Sequence, residues 1–179
     1  ELTAAGKSIT FTDPVEAAKR EAEKLTADGI NKIILLSHSG YEVDKRLAAE
    51  VPEIDVIVGG HSHTLLSGTD PKAAGPYPTL VKGPGGQDVP IVQAYAYSKY
   101  LGRLDVSFDD AGRVTQANGE PILLDASIAE DEAVKARVSE LAKPLEEIRS
   151  KVVAQAAEPI DGARDTCRVG ECAMGNLVA

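Results

Sequence analysis

Three histidines make up the whole imidazole complement of this 179-residue chain, and all three sit in the same local pattern. Ile54-Asp55-Val56-Ile57-Val58 runs into Gly59-Gly60-His61-Ser62-His63-Thr64, and Ile33-Ile34-Leu35-Leu36 runs into Ser37-His38-Ser39-Gly40. A short apolar run ended by a glycine-marked turn reads as a buried strand. His61 and His63 are spaced i, i+2, which on an extended backbone puts both rings on one side. Neutral imidazole is the commonest protein metal ligand, and open α/β sheets gather ligands at the carboxyl ends of their strands. The pattern predicts that His38, His61 and His63 converge on divalent metal. The bland alternative is three hydrogen-bonded loop histidines.

The elements around these turns follow from capping and periodicity. Asp13 or Thr12, then Pro14 and Glu16, open a helix that runs to about Ala27, with Val15, Ala18, Ala22 and Leu25 facing in. A strand over 32–36, a helix over 42–50 and a strand over 54–58 give β-α-β spacing, hence two parallel neighbours. Residues 67–90 hold five of the ten prolines and five glycines, which predicts a long irregular loop beside the site. Its Gly83-Pro84-Gly85-Gly86 lacks the strand-to-helix setting and the following Lys-Ser/Thr of a nucleotide loop. Strands are predicted over 89–97 and 101–108, with a hairpin turn at 109–112 and a last short strand at 122–124. Tyr95, Tyr97 and Tyr100 read as half-buried strand residues. Helical periodicity resumes over 131–156, with a kink or break near Lys143 before Pro144. Asp44 and Asp55 are the acidic residues near the histidines; each is a candidate for orienting an imidazole and, more simply, a helix or strand carboxylate.

Ser37-His38-Ser39-Gly40 followed by Gly59-Gly60-His61-Ser62-His63-Thr64 resembles the second half of the calcineurin-like metallophosphoesterase domain, and more narrowly the secreted 5'-nucleotidases and their UDP-sugar hydrolase relatives. The resemblance continues through Gln93-Ala94-Tyr95-Ala96-Tyr97-Ser98-Lys99-Tyr100-Leu101-Gly102, Pro121-Ile122-Leu123-Leu124 and residues 167–177. It implies an α/β fold: the second half of a four-layer α/β/β/α sandwich over 1–128, a linker helix over 129–158, and the start of a C-terminal domain over 159–179. It also implies two divalent ions, of which Zn or Mn suits the imidazole donors. By position, His38 and His61 resemble ligands of one ion and His63 a ligand of the other. The family's Asp-x-His, Gly-Asp and Gly-Asn-His motifs do not occur here. No catalytic residue is therefore assigned to this chain, which is expected to be inactive alone and to lack its N-terminal half and C-terminal domain.

The activity implied for the whole protein is hydrolysis of nucleoside 5'-monophosphates. A 2',3'-cyclic-nucleotide phosphodiesterase or UDP-sugar hydrolase is the alternative within the family, and a non-catalytic metal-binding or scaffold module the alternative outside it. A net charge of −9 disfavours nucleic acid and anionic membranes as partners, and favours a phosphate substrate only where cations invert the local field. No apolar run approaches the length of a membrane span. Cys167 and Cys172 lack the extra sulfurs or histidine of a zinc site and the spacing of a redox pair, so a local disulfide is expected, with two free thiols as the alternative. A disulfide points to an oxidising compartment, which the resemblance narrows to the periplasm, cell surface or exterior.

Overall fold

The computed structural model describes residues 9–179. The chain divides into two compact units, Glu1–Ile128 and Ala129–Ala179. Ile9 and Phe11, ahead of the first helix, lie outside any helix or strand and are exposed.

Unit 1 opens with α1 (Pro14–Ala27). Asp13 caps it, accepting from the Val15 N–H at 2.8 Å and the Glu16 N–H at 3.4 Å. Pro14 begins the helix, where its missing donor costs nothing. Val15 and Ala22 are buried, whereas Leu25 is exposed and lines an open cavity with Ile34 and Leu36 of the first strand. Next come β1 (Ile34–Leu36), α2 (Tyr41–Glu50) and β2 (Val56–Val58). β1 and β2 are parallel, with Ile34 opposite Val56 and Leu36 opposite Val58, as the spacing predicts.

The Pro/Gly-rich stretch is not irregular throughout. It contains β3 (Thr79–Lys82), which forms a hairpin with β4 (Asp88–Val92). Gly83 N–H donates to Gln87 O and Gly86 N–H to Gly83 O, so the glycine cluster is a hairpin turn. Scattered prolines hide the period-2 signal of Thr79-Leu80-Val81. β4 also pairs in parallel with β2, giving the sheet order β1-β2-β4-β3. Leu47, Ala48, Ile57, Val89 and Ile91 form the core beneath α1 and α2.

The run 33–36 is not buried as a whole. β1 is an edge strand whose side chains alternate: Leu35 packs toward the core, while Ile34 is 56% and Leu36 78% exposed. β4 also stops early, at Val92 rather than 97, because Tyr95, Tyr97 and Ser98 adopt positive φ values of 64°, 57° and 55°. β5 (Tyr100–Phe108) and β6 (Val114–Leu123) then form a two-stranded antiparallel sheet. The expected separate strand at 122–124 is the end of β6.

In unit 2, Asp131 caps α3 (Glu132–Ser150), accepting from the Val134 N–H at 2.9 Å. Pro144 lies inside α3 without dividing it; one absent N–H is outweighed by the helical turns on either side. The helix ends at Ser150, short of the expected 156. Two short helices follow, α4 (Arg164–Cys167) and α5 (Ala173–Val178), joined by a Cys167–Cys172 disulfide. No described helix is long and apolar enough to cross a membrane.

Candidate metal centre

Parallel pairing of β1 and β2 brings their carboxyl ends side by side. Ser37 N–H donates to Val58 O at 2.8 Å, and Gly59 N–H donates to Val92 O at 2.8 Å, so the turns leave the sheet from adjacent points. The rings of His38 and His61 meet there, edge to face, with centroids 5.2 Å apart. Glycine makes this approach possible. A Cβ on Gly60 would lie 3.1 Å from His38 Nδ1 and 3.3 Å from Ser37 O. Gly40 sits at φ +94°, a backbone that favours glycine, and a Cβ there would only touch the His61 ring at 3.6 Å.

His63 is placed differently. Its ring packs edge to face on Tyr97, with centroids 5.3 Å apart. His61 and His63 both have left-handed backbones, at φ 66° and 52°, so the extended-strand rule that aligns residues i and i+2 does not operate here. Tyr97 is 82% exposed, and its left-handed backbone removes it from the strand expected to half-bury it. Tyr95 and Tyr100 flank Lys99, whose ammonium lies 5.6 Å from each ring centroid.

The histidine turn is tied to its surroundings by two residues the motif reading passed over. Ser62 Oγ accepts from the Tyr41 N–H at 3.1 Å, satisfying the first donor of α2, which has no side-chain cap of its own. Gln93, at the end of β4, donates from Nε2 to Gly60 O at 3.1 Å and accepts from Ser62 Oγ at 3.2 Å and from the Thr64 N–H. A lone amide closing the apolar run 89–92 was the only signal available.

Asp44 lies under the turn. It is fully buried on the inner face of α2, beside Leu47 and Ala48, and neither carboxylate oxygen has a hydrogen-bond partner among the described residues. Burial pushes its carboxyl above the usual range, a rise that the nearby Ser37 side chain partly offsets. Asp55 is elsewhere: it accepts from the Ile33 N–H at 2.7 Å, fastening the amino ends of β1 and β2, opposite the histidines. Burial raises its carboxyl too.

Two adjacent imidazoles in a glycine-cleared space fit part of a divalent-ion site. Among the described residues no group of three or more His, Cys, Asp or Glu side chains is placed to hold an ion. His38 and His61 would therefore need further ligands from outside them.

No family model matches the chain. Curated relatives do. The snake venom 5'-nucleotidase of Naja atra is 45% identical over 99% of this chain and 34% of its own length. The 5'-nucleotidase of Homo sapiens is 41% identical over 99% of this chain and 32% of its own length. Among solved structures, a 5'-nucleotidase precursor from Thermus thermophilus aligns with a TM-score of 0.82 at 40% identity, covering 99% of this chain and 36% of that one. The NAD nucleotidase of Haemophilus influenzae aligns at 0.71 and 26% identity, over 85% and 38%. The chain thus spans about a third of the length of these relatives. With homology along its whole length and the same α/β fold, it belongs to the 5'-nucleotidase family of metallophosphoesterases.

Proposed function

We propose that this chain is the second half of the catalytic domain, with the linker into the C-terminal domain, of a hydrolase that converts nucleoside 5'-monophosphates to nucleoside and phosphate. The observation that carries this reading is the His38–His61 pair at the carboxyl ends of neighbouring parallel strands, within a sequence homologous to 5'-nucleotidases throughout. His38 and His61 would hold one divalent ion and His63 a second, with Zn or Mn matching the imidazole donors. Two such ions, when bound, supply a polarised water and a positive clamp for the phosphoryl oxygens. The chain's own part is to orient the rings, clear room for His38 with Gly60, and wall the site with Tyr97. The bare apolar face of β1 supports a missing upstream half that covers it. The venom setting of one relative and the disulfide support a location outside the cytoplasm.

Phosphate release by the full-length protein with Mn or Zn tests the reading. AMP turnover is expected, with 2',3'-cyclic nucleotides and UDP-sugars as comparison substrates. This chain alone should show none, since a two-ion site needs more ligands than three imidazoles. Turnover of none of these three substrates by the metal-loaded full-length protein would leave a scaffold or metal-binding role instead.

A further inference from the structure

We propose that Gln93 is a positioning residue: its buried amide clasps both ends of the 60–64 turn and so sets where the His61 and His63 rings are held. The inference rests on the reading of these histidines as ligands. Left-handed backbones at His61 and His63 are disfavoured for side chains of this bulk, and two within three residues persist only if neighbours over-determine them. Inside the turn the fixed bond is short-range, Ser62 N–H to Gly60 O at 2.8 Å. Outside the turn, one restraint is the Tyr41 N–H bond to Ser62 Oγ from α2, and the other comes from the chain leaving β4.

Gln93 supplies it with both halves of its amide. Nε2 donates to Gly60 O before the first histidine, and Oε1 accepts from the Thr64 N–H after the second. Oε1 also takes the Ser62 hydroxyl between them, which in turn contacts Thr64 Oγ1 at 2.8 Å. The backbone on either side of Gln93 repeats the grip: Gly59 N–H reaches Val92 O, and Tyr95 N–H reaches Thr64 O at 3.1 Å. Gln93 is only 3% exposed, and Nε2 lies 3.2 Å from the place a Cβ on Gly59 would take, so the amide is wedged against the turn rather than free to rotate. A side chain needed only to fill that space would not require a donor and an acceptor aimed at opposite ends of one turn.

The test uses the full-length protein with Gln93→Met, which keeps length and loses all three side-chain bonds, and Gln93→Glu, which keeps the acceptors and loses the donor. Ile91→Val, a trim of the same strand on its helix-covered side, is the control. Zn affinity is read by chelator competition, and amide exchange across 59–64 is read on metal-free protein. Gln93→Met should bind Zn about 10–100-fold more weakly, the range for groups that orient ligands, with Gln93→Glu intermediate and Ile91→Val unchanged. Exchange should quicken at Ser62 as well as at Thr64. If Gln93→Met does not fold, Gln93→Glu alone decides. Zn affinity within twofold of wild type in the folded Gln93 variants, with quickened exchange confined to Thr64, would overturn the proposal. A wild-type protein that binds no Zn would sink the metal-site reading, and the exchange pattern would still decide whether Gln93 sets the turn.

Discussion

The buried carboxylate of Asp44 occupies the space into which a side chain on residue 59 would have to project. Gly59 is thus fixed by a neighbour fifteen positions earlier, on α2. Gly59→Ala should destabilise the full-length protein by about 1–3 kcal/mol, the usual cost of overpacking. Adding Asp44→Ala should recover part of that loss. Chemical denaturation of the two single variants and the double gives the coupling, and strict additivity would show that the contact does not constrain the turn.

Asp44 should also make stability depend on pH. Its carboxyl is raised in the folded state by burial. Below the unfolded value of about 4 both states are protonated and there is no penalty. As pH rises through that value toward the folded one, the unfolded state releases its proton first and stability falls, levelling off above the folded value. Asp44→Asn should therefore stabilise the metal-free full-length protein at pH 7 by about 1 kcal/mol or more, the gain fading toward pH 4. A variant less stable than wild type at pH 7 would mean that Ser37, or a charged partner outside the described residues, outweighs the cost of burying the carboxylate.

His61 and His63 should not be equivalent. His61 shares its position with His38, while His63 rests on Tyr97. In the full-length protein His61→Ala should weaken the first divalent ion at least about tenfold, and His63→Ala should act mainly on the second. Stepwise Zn titration by calorimetry separates the two. Equal losses at both steps from either substitution would mean that the three rings serve one ion.

The Cys167–Cys172 bridge closes a loop five positions long in sequence separation. So short a loop removes little unfolded-chain entropy, about 2 kcal/mol in the chain-entropy model. Gentle reduction of the full-length protein should lower stability by no more than about that amount and leave Zn binding unchanged. Mass spectrometry after alkylation checks that the thiols have formed.

Much of this was readable from the residues themselves. Apolar runs ending in glycine located β1, β2 and the His38 and His61 turns, and Asp13-Pro14 located the start of α1. The failures share a physical cause. The i, i+2 rule presumes an extended chain, and the local sequence does not reveal the left-handed flips at His61 and His63 that Gln93 and the β4 backbone help hold in place. Tyr97 left its predicted strand for the same reason. Asp44 was partly legible, since its spacing to Leu47 and Ala48 places it on the buried face of α2, but a carboxylate on that face reads as solvated until packing is known. β3 was obscured by prolines that a hairpin at a sheet edge tolerates.

The uncovered β1 strand has a consequence for handling this protein. Ile34 and Leu36 stand bare on a strand whose outer backbone groups have no partner strand among the described residues, which makes β1 a template for another chain to add to. Produced by itself, the 179-residue chain should self-associate and precipitate at concentrations where the full-length protein remains clear. A charge at the edge blunts such growth, so Ile34→Lys should raise the soluble yield of the short chain. In the full-length protein the same lysine would be trapped under the upstream half, and yield should fall. Opposite signs in the two contexts, read by sedimentation of freshly made lysates, would mark β1 as a seam inside the complete domain.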